Sequence, residues 1–250
     1  MVKKRNRGFS LIELAIVMFI VSIMLGGLLT PLSSRLESQY RQQTTTALAQ
    51  IRDTLLGYAI INGHLPCPDC PDTTTDNCGS GGTIKANDGI EDGIDSSNNG
   101  VSPRSGSNFN TCATDEGNLP WTTLGVPEYD SWENKYHYRV TDSFADDNAN
   151  CSTSASNVSF CLDSSGDINI NDENGSSVAQ NVPAIVISYG ANANNVGNPS
   201  SASEKENQDN DTTFVEEDYR SEGTNEFDDL LTWISPGTLM YKMISAERLP

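Results

Sequence analysis

One apolar run opens the chain and never recurs. From Phe9 to Leu29 nearly every residue is hydrophobic or small, and Glu13 is the single charge. A run of this length is on the scale of the ~20 residues that cross a bilayer. After Pro31 the pattern becomes periodic. Leu32, Leu36, Tyr40, Ala47, Leu48, Ile51, Leu55, Tyr58 and Ala59 fall mostly three or four apart with polar residues between them, which predicts an amphipathic helix with one apolar stripe. Pro31 lacks an N–H and crowds the preceding turn, so a kink or loosening is expected there. Asn62-Gly63 ends the helix, and Pro66 follows just beyond.

The pattern then dissolves. Cys67 to Asn118 is rich in Gly, Asn, Asp and Ser and poor in apolar residues, so it predicts a loop, and loops this long are usually functional or tied down. Its acidic run DGIEDGID (Asp88–Asp95) lacks the spacing of an EF-hand and reads as a solvated loop. Strand signals follow at Lys135–Thr141 (KYHYRVT), Val158–Leu162 (VSFCL) and Ala184–Tyr189 (AIVISY). Tyr129, Trp132, Tyr136 and Tyr138 read as core packing around the first of these. Near the end, Ser235 and Pro236 are placed as N-cap and first residue of a short helix. The predicted fold is α+β: a long N-terminal helix, half hydrophobic and half amphipathic, packed on a small antiparallel sheet of three or four strands with long loops.

Charge gives this arrangement a direction. The 250 residues carry a formal net charge of −19. Lys3, Lys4, Arg5 and Arg7 all precede the apolar run; without them 11 basic residues face 34 acidic ones, a balance of −23. Basic residues before a span and an acidic region after it predict a cytoplasmic N-terminus and an exported domain. So acidic a domain has no means of neutralising phosphates, so no nucleic-acid partner is expected, whereas divalent cations would be welcome. Cys67, Cys70, Cys78, Cys112, Cys151 and Cys161 in an exported domain predict three disulfides, with fifteen pairings open. The CPDC pair finds no second CxxC to complete a zinc site. His64 and His137, the only histidines, belong to no nucleophile–base or metal constellation, and there is no phosphate loop or GxSxG. No catalytic residue is expected, and the chain does not read as an enzyme.

The segment KKRNRGFSLIELAIV (residues 3–17) closely resembles the class III leader of type IV pilins and type II secretion pseudopilins. The resemblance implies that prepilin peptidase cuts after Gly8 and N-methylates Phe9, and that Glu13 is the family's glutamate. It divides the chain into a leader (1–8), a transmembrane and assembly helix (9–30), an amphipathic helix (31–63) and a globular pilin-like domain (64–250) with its cysteine-rich loop at 67–118. In a filament, the new amine on Phe9 of one subunit would meet Glu13 of a neighbour, giving each buried charge the partner it requires. The implied partners are other pilins or pseudopilins, prepilin peptidase, an inner-membrane assembly platform and the inner membrane itself. The implied location is a single pass with a periplasmic domain, extracellular if assembled in a pilus. A rival reading is a membrane-anchored periplasmic binding or adhesion module that never polymerises.

Pieces of the globular region are similar, in order, to the major pseudopilin of type II secretion systems. They are NGHLPCP (Asn62–Pro68), DSWENKYHY (Asp130–Tyr138), ISYGANANN (Ile187–Asn195), ENQDND (Glu206–Asp211) and FDDLLTW (Phe227–Trp233). Glu133 and Lys135 replace a glycine and a proline of that family's tryptophan segment, and longer insertions separate the pieces. The resemblance implies a calcium ion in a loop between the last strands. Ca²⁺ takes six to eight oxygen ligands from irregular loops, and Glu206, Asp209, Asp211, Asp228 and Asp229 supply carboxylates. A solvated acidic loop without an ion accounts for the same residues.

Overall fold

The computed structural model describes residues 10–75, 77–79, 83–102, 109–146, 158–195, 201–220 and 225–249, with backbone alone at 25–33 and 194–195. Gly8, Phe9 and Cys151 lie outside the described residues.

Helix α1 spans Leu11–Asn62 and continues through Pro31. It ends as expected: Gly63 takes φ 83°, open to a residue without a Cβ, and its N–H bonds the Ala59 carbonyl at 2.8 Å. The chain divides into two units, Met1–Gln42 and Gln43–Pro250. In the first, every described side chain from Leu11 to Met24 is exposed, Leu11 at 88 % and Phe19 at 67 %. Among the described residues no helix is long and apolar enough to cross a membrane; the side chains described in the apolar run stop at Met24. The expected stripe is buried only in the second unit, at Leu48, Ile51, Leu55 and Ala59. Leu36 and Tyr40 remain 42 % and 37 % exposed, so the stripe starts later than its period predicts.

The second unit is built from short strands: β1 (Gly93–Ile94), β2 (Gly100–Val101), β3 (Thr111–Cys112), β4 (Glu116–Asn118), β5 (His137–Val140), β6 (Ile168–Asn171), β7 (Ser177–Val182), β8 (Ala184–Ser188), β9 (Thr213–Val215) and β10 (Leu230–Ile234). Short helices α2 (Trp121–Leu124), α3 (Asp142–Ala145) and α4 (Ala202–Glu206) lie between them, and α5 (Pro236–Ser245) follows β10. The principal sheet is antiparallel in the order β10-β8-β5-β4. Every residue of β8 is buried because both faces of the strand are covered. Ala184 and Val186 join Tyr138, Ile234, Leu48, Ile51 and Leu55 in one core, while Ile185 and Ile187 join Ile168, Ile170, Val182 and Phe214 in a second. That explains why Ala184–Ile187 is uniformly apolar rather than alternating.

The second core is the inner face of a sheet ordered β7-β6-β9, in which β6 and β9 run parallel. Its strands are short, and β7 (SVAQNV) is mostly polar and exposed, so it carries little strand signal. Val158–Leu162, expected as a strand, is irregular. Phe160 instead anchors it against Phe144, ring centroids 5.0 Å apart, and the Ser159 N–H bonds the Gly63 carbonyl. Helix α5 begins as expected, with Ser235 Oγ accepting the Thr238 N–H.

Disulfides Cys67–Cys112 and Cys70–Cys78 tie down the long loop, and Cys161 is also disulfide-bonded. The acidic run within it is solvated only in part: Asp88 and Asp95 are partly exposed, and Glu91 and Asp92 are not. Glu91 accepts from Tyr58 OH at 2.7 Å and from the Cys67 N–H at 3.2 Å, and Asp92 accepts from the Cys70 N–H at 3.0 Å. Both are buried. Short turns around the cysteines leave backbone N–H groups with no ladder to join, and these carboxylates answer them.

Candidate functional site

At the N-terminus, Ser10 and Glu13 cap the first turn of α1. Glu13 Oε2 accepts the Ser10 N–H at 2.9 Å, and Ser10 Oγ accepts the Ile12 N–H at 3.4 Å. The carboxylate also lies in the first turn of α1, where the helix dipole favours negative charge. Glu13 thus has a partner within its own chain.

Three pieces of the globular unit converge elsewhere. In the tryptophan segment, Asp130 Oδ1 accepts the N–H groups of Trp132 and Asn134, each at 2.9 Å, and its Oδ2 accepts from Ser188 Oγ at 2.6 Å. Asn134 Nδ2 donates to the Gly190 carbonyl at 2.8 Å. The two departures in this segment are accommodated. Glu133 takes φ 65°, the left-handed region natural to glycine. Lys135 reaches back to Glu128 at 2.8 Å and lies 3.9 Å from the centroid of the Trp121 ring.

Gly190 then opens a 3-10 turn, Gly190–Asn195. Its φ is 61°, and a Cβ there would meet Asp228 Cγ at 2.6 Å. The close approach lets Asp228 Oδ2 accept the N–H groups of Ala191 at 2.8 Å and Asn192 at 3.2 Å. Asn192 Nδ2 and the Asp228 N–H both donate to Glu204 Oε1. Glu204 sits on α4, whose N-cap Ser201 accepts the Glu204 N–H. Asn207, fully buried, donates to Asp229 Oδ2 at 2.8 Å and accepts the Val215 N–H at 2.7 Å.

The result is a buried group of three carboxylates, Glu204, Asp228 and Asp229, each offering an oxygen within 4.8 Å of the others. Burial pushes the Asp228 carboxyl up to about 7, against the pull of its two N–H donors and with Glu204 adding to the rise. Burial likewise holds Asp229 well above its usual range, aided by Glu204 and Asp228. Asp229 Oδ1 is buried and accepts no hydrogen bond. Asp92 keeps one such oxygen too, but among the described residues it belongs to no group of three close enough to share an ion. Oxygen-only donors at this spacing fit a hard divalent cation such as Ca²⁺, whose charge would favour the ionised forms of Asp228 and Asp229.

The five carboxylates expected to serve one ion therefore divide. Asp228 and Asp229 join Glu204, which the sequence reading missed. Glu206, Asp209 and Asp211 form a separate, more exposed group. Glu206 and Glu204 lie two apart on a helix and so face different ways. The S-x-x-E spacing of Ser201 and Glu204 was the signal that a helix, not a loop, begins there.

Beyond Ser10 and Glu13 the described apolar side chains as far as Met24 are exposed. Residues 3–29 match the family described as the prokaryotic N-terminal methylation motif, which supports the type IV pilin and pseudopilin family. A motif of this kind supports a pilin-like substrate of prepilin peptidase and suggests an inner-membrane anchor. The match ends at residue 29 and says nothing of the globular unit. No curated protein and no solved structure matches the chain.

Proposed function

We propose that the protein is a minor pilin or pseudopilin, cut after Gly8, methylated on Phe9 and assembled into a type IV pilus or a type II secretion pseudopilus. What carries this reading is one helix that combines the methylation motif with an outward-facing apolar stretch. Before assembly the Glu13 carboxylate closes the N-terminal turn of its own helix. In the filament it would exchange the Ser10 N–H for the Phe9 amine of a neighbour, a charged donor and so a stronger partner. The domain would stand in the periplasm, on a single-pass anchor with a cytoplasmic N-terminus.

A calcium ion held by Glu204, Asp228 and Asp229 belongs to the same reading. It would tie α4, the turn at Gly190 and the entry to β10 together without taking part in any reaction.

Glu13→Gln tests the assembly role in cells that carry prepilin peptidase and the assembly platform. The variant is expected to be cleaved normally and to disappear from sheared filaments or cross-linked pseudopili. Normal incorporation of Glu13→Gln would overturn that role, and full function without any filament would favour the anchored adhesion module.

A further inference from the structure

We propose that a cation held by Glu204, Asp228 and Asp229 is coupled to the first foothold of α1 in the globular unit. Binding the cation tightens the helix at Thr44, and losing the Thr44 hydroxyl weakens the cation. The inference rests on the cation reading and names what that site regulates.

Thr44 is the first buried side chain of α1 among the described residues, with no exposed surface. It heads the stripe that continues through Leu48, Ile51, Leu55 and Ala59, and it is the polar member of that stripe. A hydroxyl buried there costs stability unless it is bonded. Thr44 Oγ1 donates to Ser131 Oγ at 3.1 Å and accepts the Ser131 N–H at 3.2 Å. Valine would serve the packing equally well, so what the hydroxyl adds is a tie from α1 to one particular turn.

That turn leads to the carboxylates. Asp130, beside Ser131, gathers the N–H groups of Trp132 and Asn134 and the hydroxyl of Ser188. Ser188 Oγ in turn accepts the Gly190 N–H at 3.4 Å, and Asn134 Nδ2 donates to the Gly190 carbonyl at 2.8 Å. The turn that holds Thr44 thus holds Gly190 by both its N–H and its carbonyl. Asp130 and Ser188 are buried, so a broken bond here leaves a polar group without easy access to water.

Contacts in series couple two sites only through an element with two states that both sites bias. The Gly190–Asn195 turn is that element, since it belongs to no sheet among the described residues and side chains fix its first residues. It orients two of the three carboxylates: Asp228 through the Ala191 and Asn192 N–H groups, and Glu204 through Asn192 Nδ2. A cation that needs all three binds the closed turn better and shifts the population toward it. Removing the Thr44 bonds loosens Ser131 and Asp130 and shifts it back. Linkage makes the two effects reciprocal.

The test uses the full-length protein in detergent, with calcium alone as the probe, reading calcium affinity by calorimetry and amide exchange by residue. In the parent, calcium is expected to slow exchange at Ala191–Asn192 and at Thr44–Leu48. Thr44→Val is expected to bind calcium about fivefold more weakly, the lower end for coupled sites, and to keep the slowing only at Ala191–Asn192. Thr44→Ser retains the hydroxyl and is expected to behave as the parent. Ile51→Val trims the same stripe without touching Ser131 and is expected to leave the affinity unchanged. Equal weakening by Thr44→Val and Ile51→Val would overturn the proposal, because the effect would then be general loosening of the core. So would parent-like affinity in Thr44→Val, or slowing at Ala191–Asn192 of the parent without slowing at Thr44–Leu48. Absence of calcium binding in the parent would overturn the cation reading itself, and this coupling with it.

Discussion

The two halves of α1 both carry large apolar side chains and treat them in opposite ways. From Leu11 to Met24 the large apolar side chains are exposed; at Leu48, Ile51 and Leu55 they are fully buried. A helix can bury a stripe against its own chain only where a sheet is present to receive it, and the second half has β5, β8 and α5. Exposed apolar surface beyond a few hundred Å² marks a binding or membrane surface. One helix thus serves as core element in its second half, and on the proposed reading as assembly element in its first.

Point substitutions sharpen this contrast most. Leu55→Ala is expected to lower unfolding free energy by about 3 kcal/mol, the usual cost of a large-to-small change in a packed core. Ile16→Ala should stay within about 0.5 kcal/mol of the parent in the same denaturant titration, as surface changes do, while lowering incorporation into filaments. Equal losses from both would mean that the first half is folded against the domain.

A slightly smaller effect probes the globular unit alone. Calcium at a hundred times its Kd should stabilise it by about 2.7 kcal/mol, seen as a raised Tm that EDTA reverses. Asp229→Asn should abolish this response and leave N-terminal cleavage intact. A Tm indifferent to calcium and EDTA would mean that the three carboxylates hold no ion.

The smallest effect concerns pH. Burial, then the hydrogen bond and charge of Asp142, raise Asp115 to about 7. A carboxyl held above its unfolded value binds its proton more tightly in the fold, so the contribution of Asp115 to stability is fully present below about pH 4 and is lost as pH rises through about 7. Asp142→Asn removes the like charge and should flatten that fall by less than about 1 kcal/mol in a pH series of denaturant titrations. A steeper fall would mean that Asp142 stabilises the ionised form.

What could be read ahead of the structure was whatever lies close together along the chain. The N-terminal methylation motif, the helical period, the Asn62-Gly63 stop, β5, β8 and the Ser235 cap are each written in a few consecutive residues. The misses share the opposite property. β7 is polar and is held by pairing with β6. Phe160 sits in what looks like a strand but is fixed by Phe144. Glu91 and Asp92, in a run that reads as solvated, are buried because disulfides and Tyr58 enclose them. Glu204 meets Asp228 and Asp229 across more than twenty residues, and only α4 and the Gly190 turn bring them together.

The assembly reading rests on processing, and N-terminal mass spectrometry of the protein made with and without prepilin peptidase tests it most directly. The account predicts a mature chain beginning at N-methyl-Phe9, formed only when the peptidase is present. An intact leader in its presence, or a cut beyond Leu29, would contradict it.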